Sequence, residues 1–189
     1  YLAPAEAVAA PGAFSPAFLE EFDVVRLIGR GAFGEVYLVN QRSLKRQAVV
    51  KFTTGEEAHS LARFEREGQL LARIRHPAIM QVYGSGADGK RRYLLCEYVD
   101  GGNLKQRIRA EGRLPPAQAV PLAGLLLDAL EHAHANDLIH RDVKSENLIL
   151  PSAGGAKLAD FGLARDMQVT SDLTATGAVL GTPAYFAPE

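Results

Sequence analysis

Between residues 22 and 100 the apolar positions come in short runs of strand character, at 22–28, 36–39, 48–52, 79–83 and 93–98. A glycine-rich turn separates the first two runs, a polar turn over 41–47 precedes the third, and Gly84 to Gly89 split the last two. Residues 56–75 instead carry helical spacing. Glu56 and Glu57 open that stretch with negative charge, Leu61, Phe64 and Leu71 fall near one face, and Arg73 and Arg75 close it before Pro77. After Gly101-Gly102 the pattern turns helical. A short helix is predicted over 103–111 and a long one over 116–136, with Leu122, Leu125, Leu126, Leu130 and Ala133 buried and Pro121 bending the first turns. A polar loop over 138–146, short strands at 147–150 and 156–159, and a segment containing Thr, Gly and Asp from Asp160 onward complete the chain. Residues 1 to about 17 are rich in Ala and Pro and lack periodicity, which reads as a linker. The expected class is α+β. A flexible Ala/Pro-rich linker (1–20) leads to a lobe of five antiparallel strands and one helix (21–100), and a Gly-Gly hinge joins this to a helical lobe (101–189).

The length, 189 residues, suits one domain or one domain with a tail. Apolar residues at 47% and charged residues at 23% exclude disorder throughout. A net charge of −1 excludes a strongly basic nucleic-acid binder, because nothing is available to neutralise a run of phosphates. The single cysteine, Cys96, excludes a disulfide framework and a cysteine-rich zinc site, and reads as a small buried hydrophobe. No apolar run reaches the roughly 18 residues of a membrane helix. No charged region precedes an apolar core at the start, so a signal peptide is not expected.

Gly29-Arg30-Gly31-Ala32-Phe33-Gly34-Glu35-Val36 fits G-x-G-x-x-G-x-V. Glycines at these places let two strands turn tightly and bring backbone N–H groups against phosphate oxygens with no Cβ in the way. Taken alone, a plain β-hairpin accounts for them equally. A dinucleotide-binding fold needs a helix directly after the glycines, and residues 36–39 read as a strand, which argues against it. Lys51 ends the third strand, where a lysine can hold phosphates as a point charge; a solvated surface lysine has the same look. Glu67 on the next helix is a candidate partner, although Glu65 and Arg66 adjoin it and pairing alone does not select it.

His140-Arg141-Asp142-Val143-Lys144-Ser145-Glu146-Asn147 is far more specific. Its five fixed positions, H-R-D-x-K-x-x-N, arise by chance about once in three million starts. Asp160-Phe161-Gly162 follows, and Ala187-Pro188-Glu189 comes last. With these motifs in this order, residues 22–189 resemble the eukaryotic-like (Hanks-type) serine/threonine protein kinases. Lys144 and Gly181-Thr182-Pro183-Ala184-Tyr185 look like the serine/threonine branch rather than the tyrosine branch, and Arg75-His76-Pro77-Ala78-Ile79 looks similar to bacterial members.

The resemblance implies a two-lobed protein-kinase-like fold. It also implies transfer of the ATP γ-phosphoryl group to serine and threonine hydroxyls of proteins. Asp142 would accept or orient the hydroxyl proton, and Lys144 would stabilise charge on the transferred group. Lys51, fixed by an ion pair to Glu67, would hold the α- and β-phosphates, and Asn147 and Asp160 would hold two Mg²⁺ ions. The phosphates would lie against Gly29, Gly31 and Gly34. Adenine would lie between Ile28, Val36 and Ala48 above and Ile149 below, its edge bonded by backbone groups of Glu97 and Val99, with Cys96 behind it. His140 is expected to pack against Phe161. His132 and His134, two apart on a helix, face different ways and make a poor metal pair. Thr174 and Thr176 are the favoured phosphorylation sites, with Thr170 and Ser171 behind them. A phosphate there is expected to bridge Arg141, Arg165 and Arg63 and to order residues 163–180. Thr182 is expected to orient Lys144 and Asp142. The implied partners are proteins with serine or threonine acceptors and a second copy of the chain for autophosphorylation. Nucleic acid and a membrane segment within the chain are not expected. The implied location is cytoplasmic, with a membrane-anchored parent compatible.

Three departures from the family pattern stand out. Ser145 replaces a frequent proline, and Asn103 stands where many relatives carry an acid. The chain also stops at Glu189, ahead of the helices that complete such a lobe, so on its own it is expected to be of low stability and weakly active. The other readings are a pseudokinase-type module that binds nucleotide or a partner, an inactive fragment, and a small-molecule phosphotransferase. Lys51, Glu67, Asp142, Asn147 and Asp160 are all present, which argues against the first of these.

Overall fold

The computed structural model describes residues 13–31, 34–53, 66, 68–161 and 185. They fall into two compact units. One takes described residues from 13 to 73 and 81–98; the other takes 74–80 and those from 99 onward.

The first unit is built on a five-stranded antiparallel sheet of order β1-β2-β3-β5-β4, as the strand pattern predicts. Its strands are β1 (Phe22–Gly31), β2 (Gly34–Gln41), β3 (Arg46–Thr53), β4 (Val82–Asp88) and β5 (Arg91–Glu97). Helix α1 (Pro16–Glu21) precedes them, and residues 66 and 68–73 form the described part of helix α2. The predicted helix over 56–75 thus ends two residues early, and its first half lies outside the described residues.

Alternation along β3 sends Ala48, Val50 and Phe52 to one face, all buried. There they meet Tyr37, Val39, Tyr93 and Leu95 from the neighbouring strands in an aromatic-rich core. That core holds the first correction to the sequence reading. Phe14 and Phe18, in the stretch read as linker, are 9% and 4% exposed and belong to it. Their rings stack 4.9 Å apart, and Phe18 meets Tyr93 edge to face at 5.5 Å. The local cause is a helix start. Ser15 caps α1 by accepting a hydrogen bond from the Phe18 N–H at 3.2 Å, and Pro16 occupies the first turn, where its missing donor costs nothing.

The second correction concerns β4. Gly84 and Gly86 lie inside the strand rather than in a turn, and the turn falls at Gly89-Lys90. A Cβ on Gly86 would run into the ring of Tyr93, its cross-strand partner, so this glycine makes room for a core tyrosine.

The second unit carries β6 (Gly102–Asn103), α3 (Leu104–Glu111), α4 (Pro116–His134), a 3₁₀ turn (Ser145–Asn147), β7 (Leu148–Leu150) and β8 (Lys157–Leu158). Strands β6, β7 and β8 form a small sheet in that order. Residues 78–80 extend it: Leu158 N–H donates to Ala78 O at 2.8 Å, and Met80 N–H donates to Leu158 O at 2.9 Å. Gly101 has φ +105°, and a Cβ there would strike the Leu150 carbonyl, so this position admits only glycine without strain. Asn103 is not the first helical residue but the cap of α3. Its side chain accepts from Gln106 N–H while the Gln106 side chain accepts from Asn103 N–H, each at 2.9 Å.

Helix α4 differs most from expectation. Only Ala129 and Ala133 are fully buried; Leu122, Leu125, Leu126 and Leu130 are half-exposed. Leu122 and Leu126 instead line an open apolar groove of about 640 Å³ with Leu104, Ile108, Leu114 and Leu148. No helix among the described residues is long and apolar enough to cross a membrane.

Candidate active site

In the first unit the two strands β1 and β2 meet at the glycine turn, with Gly29 opposite Val36 and Gly31 opposite Gly34. Gly34 has φ +123°, and a Cβ would collide with the Phe52 carbonyl oxygen of β3. Any other residue would push the turn off the strand that carries Lys51. Residues 32 and 33 lie outside the described residues.

Cross-strand pairing then fixes which side chains share the Lys51 face. Val36 is directly opposite Lys51, Leu38 opposite Val49, and on the other side Leu94 and Cys96 are opposite Lys51 and Val49. This face therefore holds Val36, Leu38, Val49, Lys51, Leu94 and Cys96. Ala48, predicted to contact adenine alongside Val36, is on the opposite face with Val50, inside the aromatic core. A strand has a period of two, so a residue three before Lys51 cannot share its face, whereas Val49 does. Cys96 is buried, as its sequence context predicts. Helix α2 approaches the same face: a Cβ on Gly68 would lie 3.2 Å from Leu94. Glu67, the predicted partner of Lys51, lies outside the described residues. At the end of β5, Glu97 N–H donates to Gln81 O at 2.8 Å while its carboxylate accepts from Gln81 N–H at 3.1 Å. Ile28, at a register shift of β1, is exposed.

In the second unit the segment from His140 to Asp160 forms a compact polar centre. Lys144 Nζ lies 2.7 Å from Asp142 Oδ2, and both side chains are mostly shielded from solvent. The buried Asn147 donates from Nδ2 to the Asp142 backbone carbonyl at 2.8 Å, and the Ala159 N–H donates to the Asn147 carbonyl at 2.8 Å. These bonds tie the loop carrying Asp142 to the stretch carrying Asp160. Arg141 and Asp160 have positive φ, +64° and +61°. Backbone strain of this kind persists only where surrounding bonds over-determine it, and it concentrates at functional loops. Ser145, where a proline is frequent, bonds the Tyr185 hydroxyl through its Oγ at 2.6 Å. Its neighbour Glu146 pairs with Lys105 of α3. That bond first, outweighing desolvation, holds the Glu146 carboxyl below the usual range. Val99 and Ile149 are each half-buried.

His140 is the pivot of this centre. It is almost fully buried, its ring 4.6 Å from that of Phe161 as predicted. Nε2 lies 2.8 Å from the Ala159 carbonyl and Nδ1 accepts from the Asp142 N–H at 3.2 Å. Neutral imidazole with its proton on Nε2 satisfies both partners, and burial pushes the ring's pKa down. Below about pH 6.5 the unfolded chain takes up a proton that the folded His140 refuses, so stability falls as pH drops through that window. Urea midpoints measured from pH 7.5 to 5 should fall with pH in the unaltered chain and fall less in His140→Phe. Parallel slopes would show that His140 does not control this range. Asp88 and Glu146, both held below the usual carboxylate range, act in a separate and more acidic window. Two other histidines pack: His132 stacks on His76 at 5.0 Å, and His76 Nε2 lies 3.1 Å from Asp128, while His134 is exposed.

Thr170, Ser171, Thr174, Thr176 and Thr182, with Arg63 and Arg165, lie outside the described residues. Sequence reasoning missed Val49, which the parity of Lys51 would have found, and the Ser145–Tyr185 bond, for which the sequence holds no signal.

Comparison with known proteins agrees with this geometry. Residues 22–189 match the protein kinase domain family. The chain is 34% identical over 181 residues to the serine/threonine-protein kinase PknB of Mycobacterium leprae, covering 92% of this chain and 29% of that protein. It is 34% identical over 171 residues to PrkC of Bacillus subtilis (89% and 26%) and 39% identical over 176 residues to pkn2 of Myxococcus xanthus (89% and 21%). It thus spans less than a third of the length of these relatives. The match begins at the first residue of β1 and takes in the glycine turn, Lys51 and the Asp142 loop, and on that ground the chain belongs to the protein kinase family.

Proposed function

We propose that the chain carries the nucleotide-binding and catalytic part of a protein serine/threonine kinase, which moves the ATP γ-phosphoryl group to serine and threonine hydroxyls of proteins. Members of the family generally use ATP and Mg²⁺. The observation that carries the reading is the Asp142 loop, in which a shielded carboxylate lies 2.7 Å from Lys144 while Asn147 fixes its backbone. In the transfer, the bond from the β,γ-bridging oxygen to the γ-phosphorus breaks and a bond from the acceptor oxygen forms. Asp142 takes the acceptor proton, and Lys144 faces the charge that develops on the moving group. Lys51 holds phosphate oxygens, steadied by Glu67.

The donor set suits magnesium. Asp160 offers a carboxylate, and Asn147, its amide nitrogen already donating to Asp142 O, offers an oxygen. The metal supplies neutralisation of phosphate charge when bound. In the first unit, Ile28, Val36 and Val49 offer apolar surface to adenine. Glu97 of the first unit, its N–H used on Gln81, is the candidate for the adenine edge. Thr174 and Thr176 accept phosphate from a second copy of the chain, and the substrates are cytoplasmic proteins. The test is transfer of label from γ-labelled ATP to a protein acceptor with Mg²⁺, followed by identification of the labelled residue. Phosphoserine or phosphothreonine is expected. Label on tyrosine, or on a small metabolite alone, would replace this reading with another.

A further inference from the structure

The residue that closes the glycine turn, Glu35, gathers three donors from three places. Arg30 of β1, inside the turn, approaches Glu35 Oε1 with Nε at 2.9 Å and with its terminal nitrogen at 2.7 Å. The Tyr37 hydroxyl donates to Oε2 at 2.9 Å. Arg91 of β5 lies 4.0 Å from the same oxygen. Arg91 is itself held on its far side. It donates to the Ala13 carbonyl and to Asp88, and its guanidinium lies 4.3 Å from the Phe52 ring centroid and 5.0 Å from that of Phe14. Asp88 also accepts from the Ser15 N–H at 2.9 Å. Burial pushes the Asp88 carboxyl up, but the bonds from Ser15 and Arg91 outweigh it and hold the group ionised.

We propose that Glu35 and Arg91 are positioning residues for the glycine turn, coupling its geometry to the segment at Ala13–Ser15. The reasoning is one of anchorage. Strand pairing runs from Gly29 and Val36 at the base of the turn to Gly31 and Gly34 at its opening. The Arg30–Glu35 bridge fastens the two arms of the turn together across that opening. Arg91 then ties the bridge to β5 and to the residues before β1. Those residues lie before position 22, where the match to the protein kinase family begins. The proposal rests on the kinase reading for its effect on nucleotide, but not for the coupling itself.

A single exposed ion pair contributes little, and Arg30 is largely exposed. The effect expected is accordingly modest, and it comes from one carboxylate serving several donors. It should appear in nucleotide affinity and not in the transfer step, because Glu35 and Arg91 belong to the first unit and the Asp142 loop to the second.

The experiment compares the full chain with Arg30→Gln, Glu35→Gln, the double variant, and Arg91→Leu with Arg91→Lys as its conservative control. Two readouts are taken: amide hydrogen exchange over residues 29–36, and the Kd for ATP with Mg²⁺. Glu35→Gln is nearly isosteric and Arg30 is exposed, so these variants keep the fold even where Arg91→Leu loosens the aromatic core. Faster exchange over 29–36 and about a five-fold weaker Kd are expected in each single variant. The double variant should be no weaker than Glu35→Gln alone, with Arg91→Lys falling between. Unchanged exchange and affinity in Glu35→Gln would overturn the proposal, as would additive effects of Arg30→Gln and Glu35→Gln. If exchange responds but the unaltered chain binds no ATP, the coupling stands and the nucleotide reading falls.

Discussion

An Asp142→Asn chain is expected to transfer phosphoryl groups about 10²–10⁴-fold more slowly than the unaltered chain while its Kd for ATP stays within about two-fold. An amide cannot accept the proton of the attacking hydroxyl, so the loss falls on the chemical step. The loop should survive the change. Its backbone is held by Asn147 on the Asp142 carbonyl and by His140 on the Asp142 N–H, and neither bond uses the Asp142 side chain. The ion pair with Lys144 at 2.7 Å loses its negative partner. Rapid-quench measurement of the first turnover, beside equilibrium binding of ATP, separates the two effects. A variant that transfers within ten-fold of the unaltered rate would mean that the proton leaves by another route, and the role given to Asp142 would have to be withdrawn.

The largest effect on stability should come from a residue that the family match does not include. Phe18→Ala is expected to cost about 3–5 kcal/mol, the range for removing a buried phenylalanine, against a total of about 5–15 kcal/mol for a typical domain. Phe18 is in ring contact with Phe14, Phe22, Phe52 and Tyr93, at centroid distances between 4.9 and 5.7 Å. Truncation leaves a void that four rings line, and β1 to β3 and β5 all meet there. The chain has no tryptophan, but Tyr37 and Tyr93 are in this cluster, so near-ultraviolet circular dichroism against urea reports on it directly. A shift in the midpoint worth less than about 1 kcal/mol would show that the segment before β1 does not belong to the core in solution.

Much of this was legible from the chain because the informative signals were local. The Asp142 loop is written as fixed residue types at fixed spacing, and the structure brings Asp142, Lys144 and Asn147 together where the motif requires. The five-strand sheet followed from apolar runs of the right length. The misreadings share a different cause. Phe14 and Phe18 were hidden by the Ala and Pro around them, although Ser15-Pro16 is a legitimate helix start and marked the place. Gly84 and Gly86 looked like turn residues because a glycine's backbone freedom and its lack of bulk leave the same mark on a sequence. At Gly86 the second applies, under Tyr93. Ala48 was assigned by type where counting from Lys51 would have assigned Val49. The half-exposed leucines of α4 show the remaining limit. A helical pattern says which residues share a face, but what covers that face depends on chain far away in sequence, and local pattern carries no information about it.

The central proposal is that Asp142 is the centre of phosphoryl transfer. The measurement that bears on it most directly is the intact mass of the purified chain after incubation with Mg²⁺ and ATP, beside the Asp142→Asn chain treated alike. Added phosphoryl groups on the unaltered chain alone, with fragmentation finding them on Thr174 or Thr176, are the predicted result. No added mass on either chain, under conditions where the unaltered chain binds ATP, or equal addition to both, would contradict the claim.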